Sequence, residues 1–289
     1  MLDELKIVRQ LGTIFSGGSD VLTGIGDDCA VVRCDGKSLL VAADQVIEKI
    51  HFTPETPPEK AGKKLLLRNV SDIAAMGGTP RWAILTLAVN GRDENYILDF
   101  CRGVAEAAKR FGVEIIGGDT ASLPETGVVA TLTILGEAPA GGAVTRDGAR
   151  AGDYLYVTGK IGNSFLSGRH LDIEPRLKEG QFLAEKHLAS AMLDVSDGLL
   201  LDAARLAAAS HVALQIEPEK VPLFSGARAP EAWSEGEDYE LIFTSPEKLT
   251  ALDDTLAPIC CWGRCVPGNG ELLNKEGKPF QSERLGYEH

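Results

Sequence analysis

Residues 191–210, AMLDVSDGLLLDAARLAAAS, set the grammar of the whole chain. AMLDV is the short apolar run of a buried strand, and SDGLLLDAARLAAAS continues from it at helical spacing with no loop between. Two acids, Asp194 and Asp197, bracket the strand end. In α/β architectures a residue just past a strand end sits at a sheet edge, where ligands collect. The same arrangement recurs upstream: Asp27 and Asp28 follow GIG, Asp44 follows LLVAA and Asp119 follows IIGG. Asp72 differs, lying inside a helical run beside AAMGG, whose small residues permit close approach.

Working outward, residues 3–15 place Leu5, Val8, Leu11 and Phe15 on one face of an amphipathic helix. CAVVRCDGKSLLVAAD (29–44) reads as two strands joined at Asp35-Gly36, a hairpin turn. Residues 58–76 open with Pro and stop at Gly77-Gly78, as a helix does, and WAILTLAV (82–89) is a buried strand. Residues 93–111 form a second amphipathic helix, with Gly112 in the C′ position. VEII and VVATLTILGEA are strands. The stretch 138–153, rich in Gly and Ala and poor in large apolar residues, marks a junction. Beyond it YLYVTG, AMLDV, ALQI and YELIFT are strands, HLDIEPRLKEG is a polar segment, and the last forty residues are short strands and turns. The pattern predicts an α+β protein of two domains, 1–138 and 139–289.

The chain has 289 residues, 44% of them hydrophobic, enough for a real core. Its net charge of −13 argues against a nucleic-acid partner or an anionic membrane surface. No apolar stretch approaches the ~20 residues that span a bilayer, and MLDELKIVRQ lacks a signal-peptide core, so a cytoplasmic location is expected. Six cysteines without paired C-x2-C spacing read as reduced thiols.

Any single Asp beside Gly is explained as a turn former or N-cap. Six such acids, each abutting apolar sequence, point instead to a shared site. Carboxylates gathered in one cleft repel and raise one another's pKa unless cations are shared among them. Magnesium suits hard oxygen ligands together with substrate phosphates, which implies a nucleotide enzyme. No familiar nucleotide signature accounts for it. The GKS at 36–38 lacks the first glycine of a P-loop, GIGDDC lacks the third glycine of GxGxxG, and HRD and DFG are absent. GxSxG and HExxH are absent too. By spacing alone His51 and Arg146 are unremarkable.

GIGDDCAVV, ADQVIEKIHF, RNVSDIAAMGGTPRWAILTLAV, VEIIGGDT, VTRDGARAGDYLYVTGKIG, HLDIEPRL, LDVSDGLLLD and GEDYELIFT occur in the order seen in the thiamine-monophosphate kinase family, which the chain resembles from about residue 5 to 245. That family belongs with aminoimidazole ribonucleotide synthetase, selenophosphate synthetase and a hydrogenase maturation factor. The resemblance implies a two-domain aminoimidazole ribonucleotide synthetase-like fold, with the N-terminal sheet pairing in a homodimer. It also implies ATP-dependent phosphorylation of thiamine monophosphate to thiamine diphosphate, with several magnesium ions and no general base. Asp28, Asp44, Asp72, Asp119, Asp194 and Asp197 would be metal ligands. Gly118, Asp119, Arg146 and Ser196 would contact ATP, and His51 and Glu237 the thiamine phosphate.

The chain departs from the family pattern where one or two hydroxyl residues usually precede the second acid. Here Ala42 and Ala43 precede Asp44. The aromatic that packs on the thiamine falls near Arg284 or Tyr287. An ATP-dependent relative using another phosphorylated metabolite and a non-catalytic nucleotide-binding dimer stand as alternatives.

Overall fold

The computed structural model describes residues 4–15 and 17–287. The predicted first helix is α1 (Glu4–Ile14); Asp3 and the side chain of Leu5 lie outside the described residues. Strand β1 (Val21–Thr23) is followed by the predicted hairpin, β2 (Ala30–Cys34) and β3 (Lys37–Ile47). Its turn residues Asp35 and Gly36 have φ of 47° and 78°, the left-handed pair that a tight two-residue turn demands. Then come α2 (Pro58–Ala75), β4 (Thr79–Asn90), α3 (Glu94–Phe111), β5 (Glu114–Ser122) and β6 (Gly127–Glu137). Asp93, which the sequence pattern placed inside the helix, caps α3 by accepting from the Tyr96 N–H, and Gly112, the predicted C′ residue, closes it at φ 68°.

The second unit holds β7 (Tyr154–Thr158), α4 (Ser164–Ser167), α5 (Leu177–Glu185), β8 (Ala191–Asp194), α6 (Leu199–Ala209), β9 (Val212–Ile216), β10 (Leu241–Ser245), β11 (Ile259–Pro267) and β12 (Leu272–Leu273). The polar segment after His170 contains α5, which the sequence pattern did not mark. Gly180 sits within it because a Cβ there would lie 2.0 Å from the Ala74 carbonyl oxygen. Close packing against α2 overrides the low helix propensity of glycine.

Two six-stranded sheets result, ordered β1-β2-β3-β6-β4-β5 and β12-β9-β11-β7-β10-β8. Helix α2 lies between them. It packs on α3 and β3 of its own unit and on α5 and β8 of the second. One core gathers Leu65, Leu66, Val70 and Ile73 of α2 with Leu40, Val46 and Leu132 of the first sheet, and with Ile173 and Tyr239 of the second unit. Ala75, at the end of α2, joins Tyr156, Met192 and Phe243 in another. Among the described residues no helix is long and apolar enough to cross a membrane.

Candidate active site between the two sheets

Helix α2 presents Lys64, Arg68 and Asp72 at four-residue spacing, so the three side chains line one face. That face looks into a cavity of about 520 Å³ whose lining includes Asp28, Asp44, His51, Arg68, Asp72, Phe165, Asp194, Ser196, Asp197, Glu237 and Tyr287. Residues far apart in sequence reach it because β3, α2, β8 and the start of α6 all end or pass there.

At the cavity's acidic end one carboxylate oxygen each from Asp28, Asp72 and Asp194 lies within 4.8 Å of the others. Burial, reinforced by the neighbouring carboxylates, pushes Asp72 and Asp194 well above the ordinary carboxylate range. Burial raises Asp28 to about 6 against the pull of Arg146. The Ser71 hydroxyl donates to Asp194. Asp28 Oδ2 is buried with no hydrogen-bond partner among the described residues. Hard oxygen donors that repel one another, one of them orphaned, fit a divalent cation such as magnesium.

Asp44 joins this wall from β3. Its N–H donates to Asn69 Oδ1 at 3.1 Å, and its Oδ2 accepts from Arg68 Nε at 2.8 Å. Ala42 shares the core-facing side of β3 with Asp44, whereas Ala43 is exposed on the opposite face. Asp197 pairs with Arg205 at 2.5 Å. Its backbone N–H, with that of Gly198, donates to Asp202 at 3.0 Å, so Asp202 caps the α6 entry. Arg146 bridges Asp27 and Asp28 at 3.3 and 2.7 Å and fixes the junction segment against the GIGDD turn.

The cavity's other end is organised by Lys64, which is fully buried. Its ammonium donates to Glu237 Oε2 (2.8 Å), the His51 carbonyl (2.6 Å) and His170 Nδ1 (2.8 Å). Burial would raise Glu237, but Lys64 and Arg68 outweigh it and hold the carboxyl below its usual range, ionised. His51 Nδ1 accepts from the Ile47 N–H at 3.0 Å, and burial lowers His51 and His170 to about 4, so both rings are neutral near pH 7. Phe165 stacks on His170 at 4.4 Å. Of the two C-terminal candidates, Tyr287 lines the cavity, with the Arg284 guanidinium 5.6 Å from its ring.

Gly118 and Asp119 are placed differently. Pairing aligns Asp44, Leu132, Leu85 and Gly118 across the first sheet, and Gln45, Thr131, Thr86 and Asp119 in the adjacent row. Neighbouring rows face opposite sides, so Asp119 shares the face of Gln45, away from α2, about 14 Å across three strand spacings. A single chain therefore does not bring Asp119 to the acid cluster. Lys64, Arg68, Ser71, His170 and Phe165 escaped the sequence reading. The four-residue spacing of Lys64, Arg68 and Asp72 was the signal available for the first two.

A cation-ready cleft between two such sheets defines an AIR synthase related protein: the N-terminal domain of that family matches residues 26–138 and its C-terminal domain residues 150–254. The thiamine-monophosphate kinase of Escherichia coli K12 is 35% identical over 98% of this chain and 96% of its own length. That of Rhodopirellula baltica is 36% identical over 89% and 85%. The crystal structure of the Aquifex aeolicus thiamine monophosphate kinase superposes with a TM-score of 0.80 at 29% identity, covering 98% of this chain and all of that one. A structure of AaThiL complexed with AMPPCP and TMP matches equally well over 100% and 99% of the two chains. The chain belongs to the thiamine-monophosphate kinase family.

Proposed function

We propose that this protein, acting in the cytoplasm, transfers the terminal phosphoryl group of ATP directly to thiamine monophosphate, giving thiamine diphosphate. One observation carries the assignment of roles: two cavities share Asp197, which lines the first of them together with the acid cluster. The first runs from the cluster to His51, Glu237 and Tyr287. The second, about 570 Å³, is lined by Asp27, Arg146, Leu201, Ala204, Arg205, Ala208 and Ala209, and shares Asp197 with the first. Thiamine monophosphate fits the first and the nucleotide the second. The apolar α6 wall of the second cavity suits a base and its Arg146 the phosphates, while Ser196 lines the first cavity.

Asp28, Asp72 and Asp194, with Asp44 and Asp197 beside them, would hold magnesium, which when bound screens the repulsion between the two anionic substrates. The acceptor is a phosphate already ionised at neutral pH, so the site has no proton to remove. Two neutral histidines, one with Nδ1 occupied by a backbone N–H and the other by Lys64, suit positioning rather than base catalysis. Glu237, kept anionic by Lys64, offers a counter-charge to the cationic thiazolium ring. Tyr287 supplies an aromatic face beside it. The protein's contribution is alignment and preorganised charge.

A homodimer completes the proposal. Strand β5 is exposed along its whole length, an open edge that carries exposed Ile116 and lies beside exposed Trp82 and Ile84 of β4. Pairing there would determine what Gly118 and Asp119 face. Units 1–138 and 139–289 would each supply one wall of the cleft. Purified protein with ATP, magnesium and thiamine monophosphate should form thiamine diphosphate, and Asp194→Asn should abolish it. ATP turnover with a different acceptor only, or none, would overturn the assignment, and a monomer in light scattering would overturn the dimer.

A further inference from the structure

We propose that Arg68 is a phosphate-binding residue of this enzyme, its guanidinium receiving the phosphate of the acceptor between the acid cluster and Glu237. The proposal rests on the assignment of thiamine monophosphate to the first cavity. Arg68 lines that cavity, and its side chain is only 11% exposed. Its Nε is committed to Asp44 Oδ2 at 2.8 Å, while Nη1 is buried with no hydrogen-bond partner among the described residues. Arg92 Nε and Arg169 Nε are also buried without a partner among the described residues, but neither residue lines this cavity; beside a cavity such a donor is costly unless a ligand, water or ion satisfies it.

The missing partner is an anion. The cavity is walled by Asp28, Asp44, Asp72, Asp194, Asp197, Glu235 and Glu237, against the cations Lys49, which is exposed, and Arg68, which is not. Asp44 already engages Nε and leaves Nη1 uncommitted, so the guanidinium has capacity for a second acceptor. Position distinguishes the acceptor's phosphate from the nucleotide's. Arg68 lies one helical turn from Lys64 and one from Asp72 on the same face. It therefore stands between the Glu237 end and the acid cluster, where the phosphate of a molecule anchored at Glu237 must pass. It does not line the second cavity. Asp44 thus enters the site as half of an Arg–Asp unit.

The test compares affinities of wild type, Arg68→Met and Arg68→Lys for thiamine monophosphate, thiamine and ATP by calorimetry with magnesium present, circular dichroism confirming the fold. A charge-assisted hydrogen bond to a buried site predicts a loss of about tenfold or more for thiamine monophosphate in Arg68→Met. Thiamine, which lacks the phosphate, and ATP should change by less than about twofold, on the same reasoning that only a lost hydrogen bond carries such a factor. Arg68→Lys should recover part of the loss, and it alone carries the comparison if the Met variant does not fold. The same loss should persist when Arg68→Met is made in the Asp44→Asn background. A loss seen only when Asp44 is intact would mean that Arg68 merely positions that carboxylate. Equal losses for thiamine and its phosphate, or a loss confined to ATP, would also overturn the proposal. If wild type binds no thiamine monophosphate, the assigned substrate is wrong, and inorganic phosphate becomes the probe. Phosphate binding abolished by Arg68→Met would then uphold the site, and binding absent or unchanged would end it.

Discussion

Magnesium should protect the protein against heat strongly at about pH 8 and weakly at about pH 5. Burial sets Asp28 at about 6, against 3.8 for the free group. At pH 5 a carboxyl of pKa 6 is protonated about ten times as often as it is ionised, and a cation must displace that proton. The apparent affinity falls about tenfold, or about 1.4 kcal/mol, from Asp28 alone. Asp72 and Asp194, raised further by burial and mutual repulsion, act in the same direction. With free magnesium at about 100 times its dissociation constant at the higher pH, protection is about 2.7 kcal/mol. A tenfold loss brings it to about 1.4 kcal/mol, and a second proton to about 0.4 kcal/mol. At about 2–4 °C per kcal/mol for a chain of this size, the change is readable in a melting curve.

In the metal-free protein the histidines oppose the carboxylates. A carboxyl raised from 3.8 to about 6 binds more protons folded than unfolded in that window, so its contribution to stability falls as pH rises through it. His51 and His170, lowered from 6.5 to about 4, bind fewer protons folded than unfolded, so theirs rises over the same range. Subtracting melts with and without magnesium at each pH cancels the histidine contribution. Protection that is equal at about pH 5 and about pH 8, or metal binding that releases no protons in calorimetry across buffers, would refute the reasoning.

Replacing Asp194 by Asn should raise the melting temperature of the metal-free protein at about pH 8, by removing one of three crowded charges, while abolishing phosphoryl transfer and magnesium protection; a lower melting temperature would contradict the repulsion inferred at the cluster. Lys64→Met should cost about 2–3 kcal/mol in urea denaturation by leaving half-buried Glu237 without its ammonium partner, and adding Glu237→Gln should return part of it; a cost below about 1 kcal/mol would show that the pair is not holding the pocket. Ala42→Ser should lower the magnesium concentration needed for activity, because position 42 shares the face of Asp44, and Ala43→Ser should not; activation by the second substitution alone would contradict the register of β3. Ile116→Asp should shift the protein from dimer to monomer in light scattering, and an unchanged mass would place the dimer contact elsewhere.

Local rules made most elements legible. The Asp35-Gly36 turn, the Pro58 start and Gly77 stop of α2, and the Gly112 cap of α3 all announce themselves through residues whose backbone chemistry admits few alternatives. The acids of the cluster were legible for a related reason, since each interrupts an apolar run. Pairing was not. Whether Asp119 faces α2 or the other side depends on a register shift between β4 and β5 at Ala83/Ile84, and one residue of slip reverses every side chain. The buried cations were hidden because Lys64 and Arg68, in a run such as KKLLLRN, look like the solvated side of an amphipathic helix. Only the second sheet, closing over α2, reveals that this side is also covered.

That double covering reconciles a strongly acidic chain with anionic substrates. A helix packed on both sides ordinarily excludes charge, because a buried ion without a partner costs several kcal/mol. Here α2 carries three charged residues on one face, and the first sheet and the second unit between them answer these charges unequally. Glu237 meets Lys64, Asp44 meets Arg68 on one nitrogen, and Asp194 meets Asp72 with another negative charge. Compensation therefore runs out progressively along the helix, from a closed ion pair, through a half-satisfied arginine, to bare repulsion. A ligand that completes this series must bring negative charge to the middle and positive charge to the end. A metal-bound phosphate does both, at the segment of α2 that runs from Arg68 to Asp72.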